Sequence, residues 1–243
     1  MDTLLIIQAR MGSSRLPGKV LKMLGGHTTL EYVIRRCFKI PSVNKIVVAT
    51  SNLKQDNLIE FFCDNQGVEC FRGDEKNVLS RYVSIADKYK PQFIVRVTAD
   101  CPFLDFQMAE EMIRLIKKSK VDIIDYNEGF IPRGIGVEVL TYTALQYIYE
   151  NSNKDYQKEH VTYYAYEEEH KDEFSRYSYK IPEKLHYPQH RLTLDTVEDY
   201  ELLNKLANYF KDIEVSTGEI IAYLNRNSDI SSINDYIKQK NIF

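Results

Sequence analysis

Twelve residues near the N-terminus, Gln8-Ala9-Arg10-Met11-Gly12-Ser13-Ser14-Arg15-Leu16-Pro17-Gly18-Lys19, carry three cations, two glycines, two serine hydroxyls and a proline. They follow directly on Leu4-Leu5-Ile6-Ile7, an apolar run that reads as a strand buried on both faces. A strand that opens into a basic, glycine-containing loop suits a phosphate-rich ligand, because free backbone N–H groups and side-chain cations both point at oxygen. The alternative is an ordinary solvated turn. Two common phosphate loops fail on spacing. Gly12 and Gly18 are five residues apart where the nucleotide P-loop has four, and Val20 follows Lys19 where that loop needs a hydroxyl; the dinucleotide pattern of three glycines is also missing. Whatever this loop holds, it holds with side-chain cations more than with a glycine cradle.

The rest of the first half supplies elements to place the loop. Leu30, Val33, Ile34, Cys37 and Phe38 recur at helical spacing, with Thr28 or Thr29 as cap. Lys45 to Thr50 reads as a strand, Gln55 to Asn65 as a helix with Leu58, Ile59, Phe61 and Phe62 apolar, and Val68 to Phe71 as a short strand. A helix from Asn77 to Tyr89, a strand from Phe93 to Val97, a helix from Asp105 to Lys118 and a strand from Val121 to Tyr126 follow. This alternation predicts an α/β fold, an open, mainly parallel sheet with helices on both faces. Ligands bind beyond the carboxyl ends of such strands. Arg10, Thr50, Arg72 and Asp100 all lie there, so one crevice could collect them.

From Gly129 to about Pro188 the rhythm breaks, with a helix after Thr141, a tyrosine-rich helix over Gln157 to Glu169 and a strand over Ser175 to Ile181. It reads as an excursion from a single domain, suited to an acceptor lid or a dimer contact. The sheet pattern returns at His190 to Asp195, followed by helices over Thr196 to Tyr209 and Ser216 to Asn225 and a last one beginning at Ser231, with Ile233, Tyr236 and Ile237 inward.

The 243 residues carry a net charge of -3, so the positive charge of the loop is local; a nucleic-acid partner is disfavoured and a small anion favoured. Cys37, Cys63, Cys70 and Cys101 form no C-x-x-C pair and the five histidines no zinc spacing, which points to free thiols in a reducing cytoplasm. No stretch reaches the length of a membrane span.

The loop, Ala9-Arg10 with Ser13-Ser14-Arg15-Leu16-Pro17-Gly18-Lys19, resembles the opening motif of the CMP-sugar synthetases, cytidylyltransferases of Rossmann-like, nucleotide-diphospho-sugar transferase type. Over residues 4 to 205 the order of motifs is most similar to the branch that serves spore-coat polysaccharide synthesis. These motifs are Ala49-Thr50-Ser51, Arg72-Gly73, Val78-Leu79, Arg81-Tyr82, Asp100-Cys101-Pro102, Glu138-Val139, Glu159-His160-Val161-Thr162 and Leu192-Thr193-Leu194-Asp195-Thr196 with Glu198-Asp199. The octulosonate enzymes have Gln-Gly-Asp-Glu-Pro in place of Thr98-Ala99-Asp100-Cys101-Pro102, and the sialic-acid enzymes lack the Leu-Pro-Gly-Lys ending. Neither group's sugar is carried over.

The resemblance implies transfer of CMP from CTP to a sugar acid with loss of pyrophosphate, in surface-glycan synthesis, by a homodimer using magnesium. Arg10, Arg15, Lys19 and Asp100 are then the catalytic candidates. Ala9, Gly12, Ser13, Ser14, Thr50, Arg72 and Thr98 join them around the nucleotide, Thr50 and Arg72 toward cytosine and ribose. Asp100 and Asp195 are the implied magnesium ligands. On residue type alone, Asp195 with Glu198 also fits a helix cap, and Asp100 and Arg72-Gly73-Asp74 also fit turns. Arg133, Glu138 and His160 are acceptor-side candidates, with surface or structural roles as the alternative. No residue stands out as a general base. Two other readings remain: a phosphorylated acceptor giving a CDP-linked product, and a non-catalytic nucleotide-binding protein. A glycosyltransferase is disfavoured because no Asp-x-Asp occurs.

Overall fold

The computed structural model describes residues 1–238. In chain order the elements are β1 (Thr3–Gln8), β2 (Met23–Leu24), β3 (His27–Thr28), α1 (Thr29–Cys37), β4 (Lys45–Ser51), α2 (Asn57–Gln66), β5 (Glu69–Gly73), α3 (Val78–Tyr89), β6 (Phe93–Thr98), α4 (Phe106–Ser119) and β7 (Ile123–Asp125). They continue with β8 (Glu138–Thr141), α5 (Tyr142–Asn151), α6 (Asp155–Glu159), α7 (Tyr163–Tyr166), β9 (Arg176–Ser178), α8 (Val197–Phe210), α9 (Thr217–Arg226) and α10 (Ser228–Ser231).

Seven strands make one sheet in the order β5-β4-β1-β6-β8-β7-β9. All pairs are parallel except those of β8, which runs against both β6 and β7. Successive residues of β1 point to opposite faces, and both faces are covered. Leu5 and Ile7 join Val33 of α1, Ile113 of α4 and Leu203 of α8 in one core. Leu4 and Ile6 join Leu79 of α3, Leu145 of α5 and Ala165 of α7 in the other. The mainly parallel sheet with helices on both sides is therefore the predicted one, and β1 is apolar from Leu4 to Ile7 because it is buried on both faces.

Local chemistry starts most helices where the sequence indicates. Thr28, Asn77, Asp105, Thr141, Thr196 and Ser216 each accept a hydrogen bond from a first-turn N–H that has no partner within the helix. No helix among the described residues is long and apolar enough to cross a membrane.

Several elements differ from expectation. Segment 129–188 supplies β8 to the interior of the sheet and β9 to its edge. The strands expected over Val121 to Tyr126 and Ser175 to Ile181 shorten to β7 and β9. The expected helix over Gln157 to Glu169 is two short helices with a sharp turn between them, because Val161 takes a φ of 55°. His190 to Asp195 forms no strand; Arg191 makes a single parallel bridge with Arg133. Leu192 and Leu194 are nevertheless buried, which is why the run looks like sheet. Phe38, Leu58 and Phe61, expected on inner helix faces, are exposed. Ser231 ends α10 instead of starting a helix, and Tyr236 lies outside the core.

Candidate active site

The loop after β1 is fastened at both ends. Ala9 N donates to Ala49 O at 3.0 Å, Met11 N to Asp56 Oδ1 at 2.8 Å and Gly18 N back to Met11 O at 3.0 Å. Leu16 and Val20 anchor it in the core. Ser13 Oγ accepts from Leu16 N at 3.3 Å, which closes a turn. Gly18 has a φ of 68°, a conformation that glycine adopts without a Cβ penalty, and the chain then turns into a single 3-10 turn that begins at Lys19. Among the described residues, no acceptor pairs with the backbone N–H groups of Gly12, Ser13, Ser14 or Arg15. Four successive donors without a partner, at the end of a parallel strand, are available to cradle an anion.

Facing that cradle, β6 ends at Thr98, opposite Gln8 in register, and Asp100 follows. Lys19 Nζ lies 2.6 Å from Asp100 Oδ2 and 2.8 Å from Asp195 Oδ1. Arg15 Nη2 reaches the second oxygen of Asp195 at 3.1 Å. The loop bearing Asp195 is tied to the one bearing Asp100 by the main chain, with Leu194 N donating to Asp100 O at 2.8 Å. It is also pressed against residues 133–135: a Cβ on Gly134, whose φ is 97°, would stand 2.6 Å from Thr193 N. Only glycine fits that crossing.

Electrostatics follow from this packing. Burial alone would weaken the Lys19 charge, but Asp100 and Asp195 outweigh it and raise the pKa above its usual value. Burial likewise disfavours the Asp100 carboxylate, and Lys19 overcomes it, so the pKa falls below the usual range. Both partners are charged near neutrality. Cys101, beside Asp100, is pushed up to about 12 by burial and by that carboxylate, and is a neutral thiol. Two carboxylate oxygens from different loops thus converge on one point of positive charge. Hard oxygen donors in that arrangement fit a magnesium ion. Glu167, Glu169 and His170 also bring ligand atoms within 4.8 Å of one another, but Glu167 is already engaged by Lys154 and Tyr156.

The structure brings Arg15, Lys19, Asp100 and Asp195 together, and sets the other candidates around them. Arg10 faces the opposite side of the sheet end, where it pairs with Glu159 at 3.0 Å on the surface. Ser14 is exposed beside the cradle, and Gly12 lies close to Gln55. Thr98 Oγ1 lies 3.3 Å from Cys101 Sγ. Thr50 is buried, with its hydroxyl unpaired. Arg72 is not part of the cluster. It binds Ser51 O, Leu53 O, Asn57 and Glu60, and so pins the β4–α2 connection.

On the acceptor side, Glu138 at the start of β8 pairs with Arg96 of β6, directly opposite in register, and accepts from the Thr162 hydroxyl. Arg96 also approaches Gln8 Oε1 at 3.5 Å. His160 stands in the turn between α6 and α7, where burial lowers its pKa and keeps the imidazole neutral. Arg133 is exposed, and its main chain bridges to 190–192. Sequence reasoning gave no role to Arg96, Arg191 and Asn234, and named Asp199 only as part of a motif. For Arg96 a signal existed: a charge inside the apolar run Ile94-Val95-Arg96-Val97 must have a partner.

Known proteins are similar to this chain over nearly its whole length. A protein from Bacillus subtilis, the spore coat polysaccharide biosynthesis protein SpsF, is 38% identical over 239 residues, covering 95% of this chain and 97% of that protein. A Methanocaldococcus jannaschii protein is 37% identical over 235 residues, covering 97% and 95%. The solved structure of a cytidylyltransferase from Leptospira borgpetersenii superposes with a TM-score of 0.88 at 30% identity, covering 99% of this chain and all of that one. The sequence profile of the cytidylyltransferases matches residues 4–242, and with a basic loop after β1 set against two carboxylates the chain belongs to the cytidylyltransferase family, as a nucleotidyltransferase.

Proposed function

We propose that the protein transfers CMP from CTP to a sugar acid and releases pyrophosphate. The observation that carries this reading is the convergence of Lys19 on Asp100 and Asp195 at the mouth of the unpaired N–H groups of residues 12–15. In the reaction, an acceptor hydroxyl oxygen bonds to the α-phosphorus and releases its proton to water, the bond from that phosphorus to the bridging oxygen breaks, and pyrophosphate takes the electron pair. The demand on the protein is to hold the triphosphate and offset charge growing on the leaving group. The loop N–H groups, Arg15 and Lys19 meet it, Arg through paired donors and Lys as a compact charge. Asp100 and Asp195 would hold magnesium, which supplies further neutralisation of phosphate charge when bound. Arg10, released from its exposed pair with Glu159, adds a fourth cation.

Arg133, neutral His160 and the Arg96–Glu138 pair form the acceptor side. The role in surface-glycan synthesis rests on the name of the Bacillus subtilis relative. A homodimer through segment 129–188 is supported by Tyr147, Tyr166 and Tyr177, which are exposed there; light scattering on a sizing column tests it.

The decisive experiment incubates the protein with CTP, magnesium and a panel of sugar acids and sugar phosphates, and follows pyrophosphate and product mass. A CMP-linked product formed only with all three components is expected. A CDP-linked product would move the acceptor to a phosphorylated metabolite. Pyrophosphate release that ignores the choice of nucleotide would overturn the reading.

A further inference from the structure

Asp195 is held from behind as well as from the loop. Arg191 Nη2 donates to Asp195 Oδ2 at 2.7 Å, the oxygen that does not face Lys19. The same guanidinium donates through Nε to Asp199 Oδ1 at 2.8 Å and through Nη2 to Asp199 Oδ2 at 3.2 Å. Asp199, in the first turn of α8 and fully buried, also accepts from Asp195 N at 2.9 Å and Thr196 N at 3.1 Å. Its Oδ1 takes a further bond, 2.8 Å long, from Asn234 Nδ2. Asn234 is itself buried, lies beyond α10, and reaches the main-chain oxygen of Arg191 at 3.1 Å.

These contacts do more than pack the chain. A buried guanidinium needs one carboxylate to balance it, and Asp199 does so fully. The extra bond to Asp195 therefore leaves that carboxylate's charge to be matched by Lys19 and Arg15, or by a metal. The bond also helps fix the carboxylate plane: with Oδ2 held by Arg191 from behind and by Arg15 from the loop, Oδ1 is the oxygen left facing Lys19. Groups that orient a ligating carboxylate in this way commonly change metal affinity 10- to 100-fold when removed.

We propose that Asn234, Asp199 and Arg191 form a positioning relay, from the C-terminal segment to Asp195, that sets how tightly the active site takes its divalent cation. None of the three touches substrate; each acts through the next. The relay rests on the nucleotidyl-transfer reading given above.

Manganese, followed by electron paramagnetic resonance in the presence of CTP and without acceptor, reads this without turnover. Arg191→Lys keeps the charge but loses the rigid planar fork that holds Asp195 and Asp199 in one fixed geometry. It is expected to weaken manganese binding about 10-fold or more. Asn234→Ala is expected to weaken it several-fold, and Asn234→Ser, which keeps a hydroxyl donor for Asp199, to recover part of the loss. The dissociation constant of CTP measured without metal should stay within about twofold in all three. Folded variants that melt earlier but bind manganese like the wild type would overturn the relay and leave a structural staple. Should Asn234→Ala not fold, Arg191→Lys and Asn234→Ser carry the same measurement. Failure of the wild type to bind manganese with CTP would instead sink the functional reading itself, so the two failures are distinct.

Discussion

Lys19 Nζ and Asp100 Oδ2 stand 2.6 Å apart although 81 residues separate them. The contact exists because β1 and β6 are adjacent and parallel, so their following loops leave the sheet side by side. Asp195 completes the group from a loop tied to both, and Lys19 sits where the two carboxylates' charges meet.

Replacing that ammonium exposes what it balances. In Lys19→Met, Asp100 and Asp195 lose their common partner, and manganese should bind without nucleotide and raise the melting temperature more than in wild type. Pyrophosphate release from CTP should fall by about 100-fold or more, as for removal of a single well-aimed charge donor. Equal stabilisation of variant and wild type by manganese would show that Lys19 is not the resting counter-charge.

The same pair dictates a pH response. The Asp100 pKa is lowered, so its contribution to stability is present above the unfolded value near 3.9 and is lost as pH falls through the folded one. The Lys19 pKa is raised, so its contribution is present below about 10.4 and is lost as pH rises through the folded value. Urea unfolding across pH should therefore show a plateau between these limits. In Asp100→Asn the acid limb should flatten; an unchanged acid limb would place the effect elsewhere.

Val161 is buried with a φ of 55°, and Thr162 N donates to His160 O at 2.6 Å across it. A β-branched residue in that conformation stores roughly 1–3 kcal/mol. Val161→Gly recovers this strain, while losing side-chain burial of about 1.5–3 kcal/mol and some backbone entropy. The net loss should be near 1 kcal/mol in chemical denaturation. Val139→Gly, in extended β8, has no strain to recover and should lose roughly 3–4 kcal/mol. Equal losses at the two sites would mean that Val161 is unstrained.

Three helices end on a lysine in the left-handed conformation: Lys90, Lys120 and Lys211. At that position glycine avoids the Cβ penalty. Lys120→Gly should stabilise the protein by about 1 kcal/mol at constant activity; a lower melting point would contradict the backbone argument.

The parts legible in the sequence are those decided locally. Asp100 could be read because it follows an apolar run, Arg15 and Lys19 because they crowd one basic loop, Asp195 only through the family resemblance, and the parallel sheet because strand and helix alternate. What escaped was decided by contact at a distance. Glu138 to Thr141 says nothing about running antiparallel between β6 and β7. Arg72 is expected just after its strand but lies inside β5, and its turn toward Glu60 belongs to side-chain geometry. The run 190–195 alternates like a strand, yet its main-chain bonds go to Arg133 and Asp100 and make no ladder. No glycine or proline marks a break across 157–169, and the one at Val161 accompanies the tie from Thr162 to Glu138. Asn234 lies 35 residues from Asp199, with no local mark of its role.

The reversed direction of β8 has one more consequence. Since β7 ends and β8 begins at the same end of the sheet, the whole connection 126–137 lies at that end, with both roots on neighbouring strands. Its middle is not free to vary, because Arg133 and Gly134 are locked to 190–193, so any exchange of this connection would shift the loop that carries Asp195 as well.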